Sequence, residues 1–146
     1  MSTELKGKRV LLVEDNEMNR QISKEILEAH GIDVYEAEDG EVAVQKVKAA
    51  KRKPFDFILM DIMMPNMDGY EATIAIRALE NPRLANIPII AMTSAITQGD
   101  KVKALEVGMN AHLSKPVDIP ELLATIKNVM CTYEAEKSVK GKGGRK

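Results

Sequence analysis

The sequence predicts an α/β fold, a doubly wound five-stranded parallel sheet with helices on both faces. Three observations carry that reading. Short and almost unbroken apolar runs, "KRVLLVED", "FDFILMD" and "IPIIAMTS", each stop at a polar residue, as strands covered on both faces do. Between them lie segments whose apolar residues recur every three or four positions behind a capping residue, the pattern of amphipathic helices. Finally, a chain of 146 residues that is 45% hydrophobic and 29% charged is long enough for one packed core of ordinary composition.

Taken in order, the first strand runs up to Glu14 and Asp15. A helix follows over residues 17 to 30, with Met18, Ile22, Ile26 and Ala29 at helical spacing, Asn16 to cap it and Gly31 to end it. "DVYEAE" is a weaker second strand. "DGEVAVQKVKAAK" is the second helix, capped by Asp39 and repeating Val42 and Val47. The third strand carries Phe55 to Met60 into Asp61. Three further helix starts have capping-box spacing: Asp68 with Glu71, Thr97 with Asp100, and Asp118 with Glu121, where Pro120 is tolerable in a first turn. "IPIIAMTS" and "AHLSKP" supply strands four and five. Leu122, Leu123, Ile126, Val129, Met130 and Tyr133 form the stripe of a last helix. Five strands then alternate with five helices, and the flavodoxin-like order 2-1-3-4-5 is the common five-strand solution. In that order strands 1 and 3 flank the topological switch point, where ligands bind beyond the carboxyl ends.

Residues 1–7 read as a lead-in, 8–136 as the folded domain and 137–146 as a basic disordered tail, "KSVKGKGGRK". The net charge is -1, and the tail contributes five positives and no acids, so residues 1–136 carry -6. An acidic body disfavours direct nucleic-acid binding, which needs clustered Lys and Arg. The single Cys131 excludes an internal disulfide and a cysteine metal cluster, and fits a reducing compartment. There is no signal-peptide core and no apolar run of membrane-spanning length. The expectation is a cytoplasmic protein with no membrane span, a monomer or a weak dimer.

The functional expectation comes from the carboxyl-terminal rim of the predicted sheet. There strand 1 delivers Glu14 and Asp15, strand 3 Asp61, strand 4 Thr93 and Ser94, and strand 5 Lys115 followed by Pro116. Singly, an acid at a strand end is more often a helix cap, and a lone lysine a surface charge. Three carboxylates on one rim, however, repel by roughly 1 to 4 kcal/mol per close pair, and a cation is needed among them. Oxygen ligands without His or Cys select a hard ion such as Mg²⁺. A carboxylate beside such an ion and a lysine can attack phosphorus and form an acyl phosphate.

Four stretches, "LLVEDNEMNR", "DFILMDIMMPNMDGYEA", "IPIIAMTS" and "GMNAHLSKPV", resemble in order and spacing the receiver domain of two-component response regulators, over roughly residues 7 to 130. The wording "VEDNEMNR" and "GMNAHLSKP" is especially similar to receivers attached to hybrid sensor kinases. The resemblance implies that Asp61 accepts a phosphoryl group from a histidine kinase or histidine phosphotransfer protein. It implies that Asp15 and Asp61 ligate Mg²⁺ together with the backbone carbonyl of Met63, with Glu14 acting through water. Thr93 and Lys115 would contact the phosphoryl oxygens, the Lys115–Pro116 bond would be cis, and Thr93 would serve in switching. Met18, Asn19 and Ile22, beside Pro116 and Val117, would dock the phosphodonor, and a downstream protein target would read the switched surface. Two departures stand out. Glu14 occupies a position where Asp is frequent, and His112 one where many receivers carry a switching Tyr or Phe; the alternative for His112 is a half-buried polar residue.

Rival chemistries fit less well. An aspartate-nucleophile phosphatase usually needs a second acid two residues after the nucleophile, where this chain has Met63. A flavodoxin-type FMN carrier would have a Ser/Thr-rich loop after strand 1, which is acidic here. A phosphorylation-independent interaction module would have no need of the full set of rim residues.

Overall fold

The apolar runs form the middle of one sheet, and period-two alternation divides their side chains between two cores. The computed structural model describes residues 6–64, 66–93, 97–114 and 118–129. Its strands are β1 (Arg9–Val13), β2 (Asp33–Ala37), β3 (Phe57–Asp61), β4 (Ile89–Thr93) and β5 (Ala111–Ser114). They pair in parallel in the order β2-β1-β3-β4-β5, as the sequence predicts. The helices are α1 (Glu17–Ala29), α2 (Gly40–Ala49), α3 (Gly69–Arg77), α4 (Pro82–Ala85) and α5 (Gln98–Val107), and a last helix, α6, over residues 119–129.

Along β1, Val10 and Leu12 join Leu27 of α1 and Leu122 and Ile126 of α6 in one cluster. Leu11 and Val13 join Ala43 and Val47 of α2, Ile76 of α3 and Ala104 of α5 in the other. Every residue of β3 and β4 is buried, so these strands cannot slip by one residue without exchanging the two cores.

The expected caps are in place. Asn16 accepts from the Asn19 N–H and Asp39 from the Val42 N–H, both at 2.9 Å. Asp68 with Glu71 and Thr97 with Asp100 form complete capping boxes. Asp118 makes only a long 3.5 Å contact with the Glu121 N–H. Gly31 follows the end of α1 with φ +81°, a conformation that favours glycine. Met130, Tyr133 and the basic tail lie outside the described residues.

One expectation needs correcting. The fold has an extra one-turn helix, α4, which Asn81 starts by accepting from the Arg83 N–H at 3.0 Å with Pro82 in the first turn. Among the described residues, the alternation of five strands with five helices therefore becomes five strands with six. In α1, Met18 and Ile22 are 71% and 47% exposed, as a docking role requires, and Leu27 is the buried residue of the helix. Half-buried Arg20 and Lys24 lie on the packed side, with their heads on Glu36 of β2 at 3.1 and 3.2 Å and their stems free to pack.

Helices α3 and α5 are joined by a polar contact as well as by apolar packing. The buried Tyr70 hydroxyl donates to Asp100 Oδ1 at 3.0 Å, and Lys103 Nζ lies 4.6 Å from the ring centroid. Burial, then the Asp100 hydrogen bond and charge, push the phenol up to about 12. A raised folded value means that this contribution to stability is complete below pH 10.0 and is lost as pH rises through about 12. Urea midpoints measured across that window should fall in the wild type and change less in Tyr70→Phe. Parallel curves would show that the bond does not contribute.

Candidate functional site

Parallel pairing of β1 with β3, in the register Val13↔Met60, brings the next residue of each strand, Glu14 and Asp61, to the same rim. The Glu14 N–H extends the ladder by donating to Ala37 O at 3.1 Å, and the Ile62 N–H donates to Met92 O at 3.1 Å. Both acids therefore leave the sheet on backbone that is still held by its neighbours. Their carboxylates and that of Asp15 each place an oxygen within 4.8 Å of the others. Glu14 and Asp61 are only 5% and 4% exposed, whereas Asp15 is exposed. At such separations mutual repulsion is of order 1 to 4 kcal/mol per pair.

The protein offsets part of this repulsion locally. The Asn16 N–H donates to the Glu14 carboxylate at 3.1 Å, and Arg20 Nη1 donates to the Glu14 carbonyl at 2.7 Å. Arg20 is steadied by Glu36. Burial opposes ionisation of Glu36, but hydrogen bonds from Lys24 and Arg20 outweigh it and hold that carboxyl below its usual range. The cluster contains carboxylates alone, a donor set suited to a hard metal ion.

The loop after Asp61 is shaped by contact with backbone. The Gly69 N–H donates to Ile62 O at 2.9 Å, closing the loop where α3 begins. A Cβ at Gly69 would lie 2.3 Å from the Asp61 carbonyl oxygen, so glycine is required by close approach. Asn66 holds φ +70°, and Met63 is 74% exposed.

Thr93 ends β4, beside β3, at 7% exposure. Met18, Asn19 and Ile22 are all exposed on the first turns of α1, directly after the acidic pair. His112 lies on edge strand β5 in register with Ala91 and is exposed, contrary to the half-buried alternative. It borders a cleft of about 440 Å³ between α5 and α6, with Leu105, Met109 and Val129. Ser94, Lys115, Pro116 and Val117 fall outside the described residues. Sequence reasoning missed Gly69, Asn66 and Arg20, although "PNMDG" holds the residue types that tight turns and positive φ select.

A family model of the response regulator receiver domain matches residues 10–127. The chain belongs to this family. It is 41% identical over 130 residues to hybrid signal transduction histidine kinase I of Dictyostelium discoideum, covering 88% of this chain and 8% of that protein. The receiver thus spans under a tenth of that relative's length. The polar-differentiation response regulator DivK of Brucella anthropi is 34% identical over 123 residues, covering 84% of this chain and 96% of DivK. Among solved structures, the receiver domain of sensor histidine kinase PA1611 from Pseudomonas aeruginosa PAO1 superimposes with a TM-score of 0.71 at 41% identity. That match covers 85% of this chain and 98% of the PA1611 domain, which has a magnesium ion coordinated in its active site cleft. This chain is accordingly a receiver domain of two-component phosphorelay signalling, and among the described residues no helix is long and apolar enough to cross a membrane.

The Gly69 contact can be tested against a control within the receiver. Gly69→Ala should destabilise by roughly 1 to 3 kcal/mol through overpacking. Gly99→Ala in α5, where a Cβ meets only Thr97 Oγ1 at 3.7 Å, should stabilise by about 0.5 to 1 kcal/mol. Denaturant unfolding of both variants reads the difference, and equal effects would remove the packing argument.

Proposed function

We propose that Asp61 accepts a phosphoryl group from the phosphohistidine of a histidine kinase or phosphotransfer protein, and that the resulting charge at the rim switches the binding of a downstream protein. The observation that carries this reading is the carboxylate cluster of Glu14, Asp15 and Asp61 at the end of a buried sheet. Two oxygens on opposite sides of one Mg²⁺ lie about 4 Å apart, so a spread within 4.8 Å needs at most a small adjustment or one intervening water. The three carboxylates therefore fit the ion; in this reading Asp15, Asp61 and the Met63 carbonyl would hold it directly and Glu14 would act through water. When bound, Mg²⁺ supplies positive charge that neutralises phosphoryl oxygens.

The chain's own residues do the rest. A carboxylate oxygen of Asp61 bonds to phosphorus while the phosphorus–nitrogen bond to the donor imidazole breaks, and the imidazole leaves with the electron pair. Rigid β3 holds that oxygen in place for in-line attack. The Thr93 hydroxyl donates to a phosphoryl oxygen, and Lys115 pairs with another. The new group adds about -1.5 to -2 charges to a rim that is already acidic, which biases the β4–α5 region between two arrangements. The donor docks on α1 through Met18, Asn19 and Ile22, whose exposure supports that role, together with Pro116 and Val117. In this reading the domain is a phosphoacceptor signalling module that assists its own phosphorylation and dephosphorylation, acts through protein partners in the cytoplasm, and spans residues 8–136 ahead of a basic tail.

Incubation with Mg²⁺ and acetyl phosphate should add one phosphoryl group to the wild type and none to Asp61→Asn, read by intact mass. Equal labelling of the two would refute the assignment of Asp61. In NMR titrations Asp15→Asn should weaken Mg²⁺ binding by roughly tenfold or more and Glu14→Gln by less, since loss of a direct charged ligand costs more than loss of a water-mediated one. Equal losses would make Glu14 a direct ligand.

A further inference from the structure

The loop that follows Asp61 rests on the amino end of α2, a part of the fold remote in sequence. The Gly40 N–H, at the start of α2, donates to the Met67 carbonyl at 3.0 Å. A Cβ on Gly40 would stand 2.5 Å from that same oxygen and 2.9 Å from Met67 Cγ, so the two backbones touch as closely as glycine permits. One residue before Met67, Asn66 adopts φ +70° and turns its amide to α2: Nδ2 donates to Glu41 Oε1 at 2.9 Å and, more weakly, to Asp39 Oδ2 at 3.4 Å. Asp39 is itself the α2 cap, bound to the Val42 N–H. The α2 cap and the first two residues of α2 thus grip two consecutive residues of the loop, whose other end is closed by the Gly69 N–H on Ile62 O.

We propose that Gly40, Glu41 and Asn66 are positioning residues for the phosphoacceptor loop: by holding Asn66 and Met67 they keep the Met63 carbonyl facing the cation shared with Asp15 and Asp61. This rests on the reading of Met63 as a ligand. The physical argument is one of constraint. Met63 is 74% exposed and lies outside any regular element, so its own contacts do little to fix its carbonyl. A carbonyl oxygen must sit within a few tenths of an ångström of its place to ligate Mg²⁺, an ion that demands near-ideal octahedral geometry. The loop is short enough that anchoring Asn66 and Met67 at one end and Asp61 at the other leaves the intervening residues little freedom.

Two readings of the 146-residue chain test the proposal: Mg²⁺ affinity by NMR titration, and backbone amide order parameters of Met63, Met64 and Met67 without metal. Gly40→Ala should raise the Kd for Mg²⁺ roughly fivefold and lower those order parameters from about 0.85 towards 0.6. Helix propensity alone predicts the opposite sign for stability, because Ala is the better helix former. Asn66→Gly keeps the positive φ and removes only the side-chain tether; like Glu41→Ala it should raise the Kd roughly two- to threefold. The double variant should be no worse than either single one, and Glu41→Gln, whose amide oxygen still accepts, should restore the wild-type value. Wild-type Kd and order parameters in Gly40→Ala, Asn66→Gly and Glu41→Ala would overturn the proposal. A loop loosened in these variants beside a wild type that takes no Mg²⁺ would support the tether and refute the functional reading instead.

Discussion

Three carboxylates held within 4.8 Å of one another, two of them almost completely buried, form the constraint on which the remaining structure depends. Such an arrangement is unfavourable in isolation, and a flexible scaffold would relax it by letting the acids swing apart into water. Here they cannot do so, because Glu14 and Asp61 each follow directly on four consecutive buried residues, Val10–Val13 of β1 and Phe57–Met60 of β3. Each buried aliphatic side chain of those strands contributes roughly 1.5 to 3 kcal/mol, so the apolar bodies of β1 and β3 outweigh the repulsion at their tips. The continuous hydrophobic run ending in an acid is one device in two parts, an anchor and the charge that it holds in position.

Rigidity at the strand ends would be wasted if the connecting loops wandered. Two helix starts prevent that after β3. Gly69 lets α3 begin in contact with the Asp61 carbonyl, and Gly40 lets α2 abut the Met67 carbonyl. In both cases a glycine is used for the proximity it allows, and in both a helix-start N–H that would otherwise lack a partner finds one in the loop. From the loop the contacts continue through Tyr70 to Asp100, which also closes the capping box of α5. A shift at Asp61 therefore meets, within one turn of α3, a side chain bonded to the helix that follows β4.

The long apolar runs made the central sheet legible, since a run as short as "FILM", ended by a polar residue, suits a strand covered on both faces better than a helix. Caps were legible for the same local reason: Asn16, Asp39, Asp68 and Thr97 act on the backbone three residues away. The rim was legible through the topology, because parallel order 2-1-3-4-5 places the ends of β1 and β3 together whatever the details of packing. What could not be read were effects set by distant partners. Nothing near Gly40 in sequence indicates that Met67 will press on it. Arg20 and Lys24 look like surface charges until Glu36 of β2 is known to lie beneath them. Helix α4 is a single turn, too short to show a period, and was signalled only by the Asn81–Pro82 pair.

The outward-facing stripe of α1 has the same cause and bears on function. Periodicity identifies which residues share a stripe but not which way the stripe points, and a helix whose charged residues find a partner beneath them can turn its apolar stripe outward. Arg20 and Lys24 are tied to Glu36 of β2, and Arg20 also to the Glu14 carbonyl at the rim, so these contacts help set the rotation of α1. Met18 and Ile22 are thereby left in solvent beside Asp15, where their exposure gains the isolated domain nothing. Apolar groups next to a charged reaction centre are useful to a transient complex: burial supplies non-directional affinity, while the charges orient the partner. The polar contacts that steady the carboxylate cluster thus also determine the surface available to whatever approaches it.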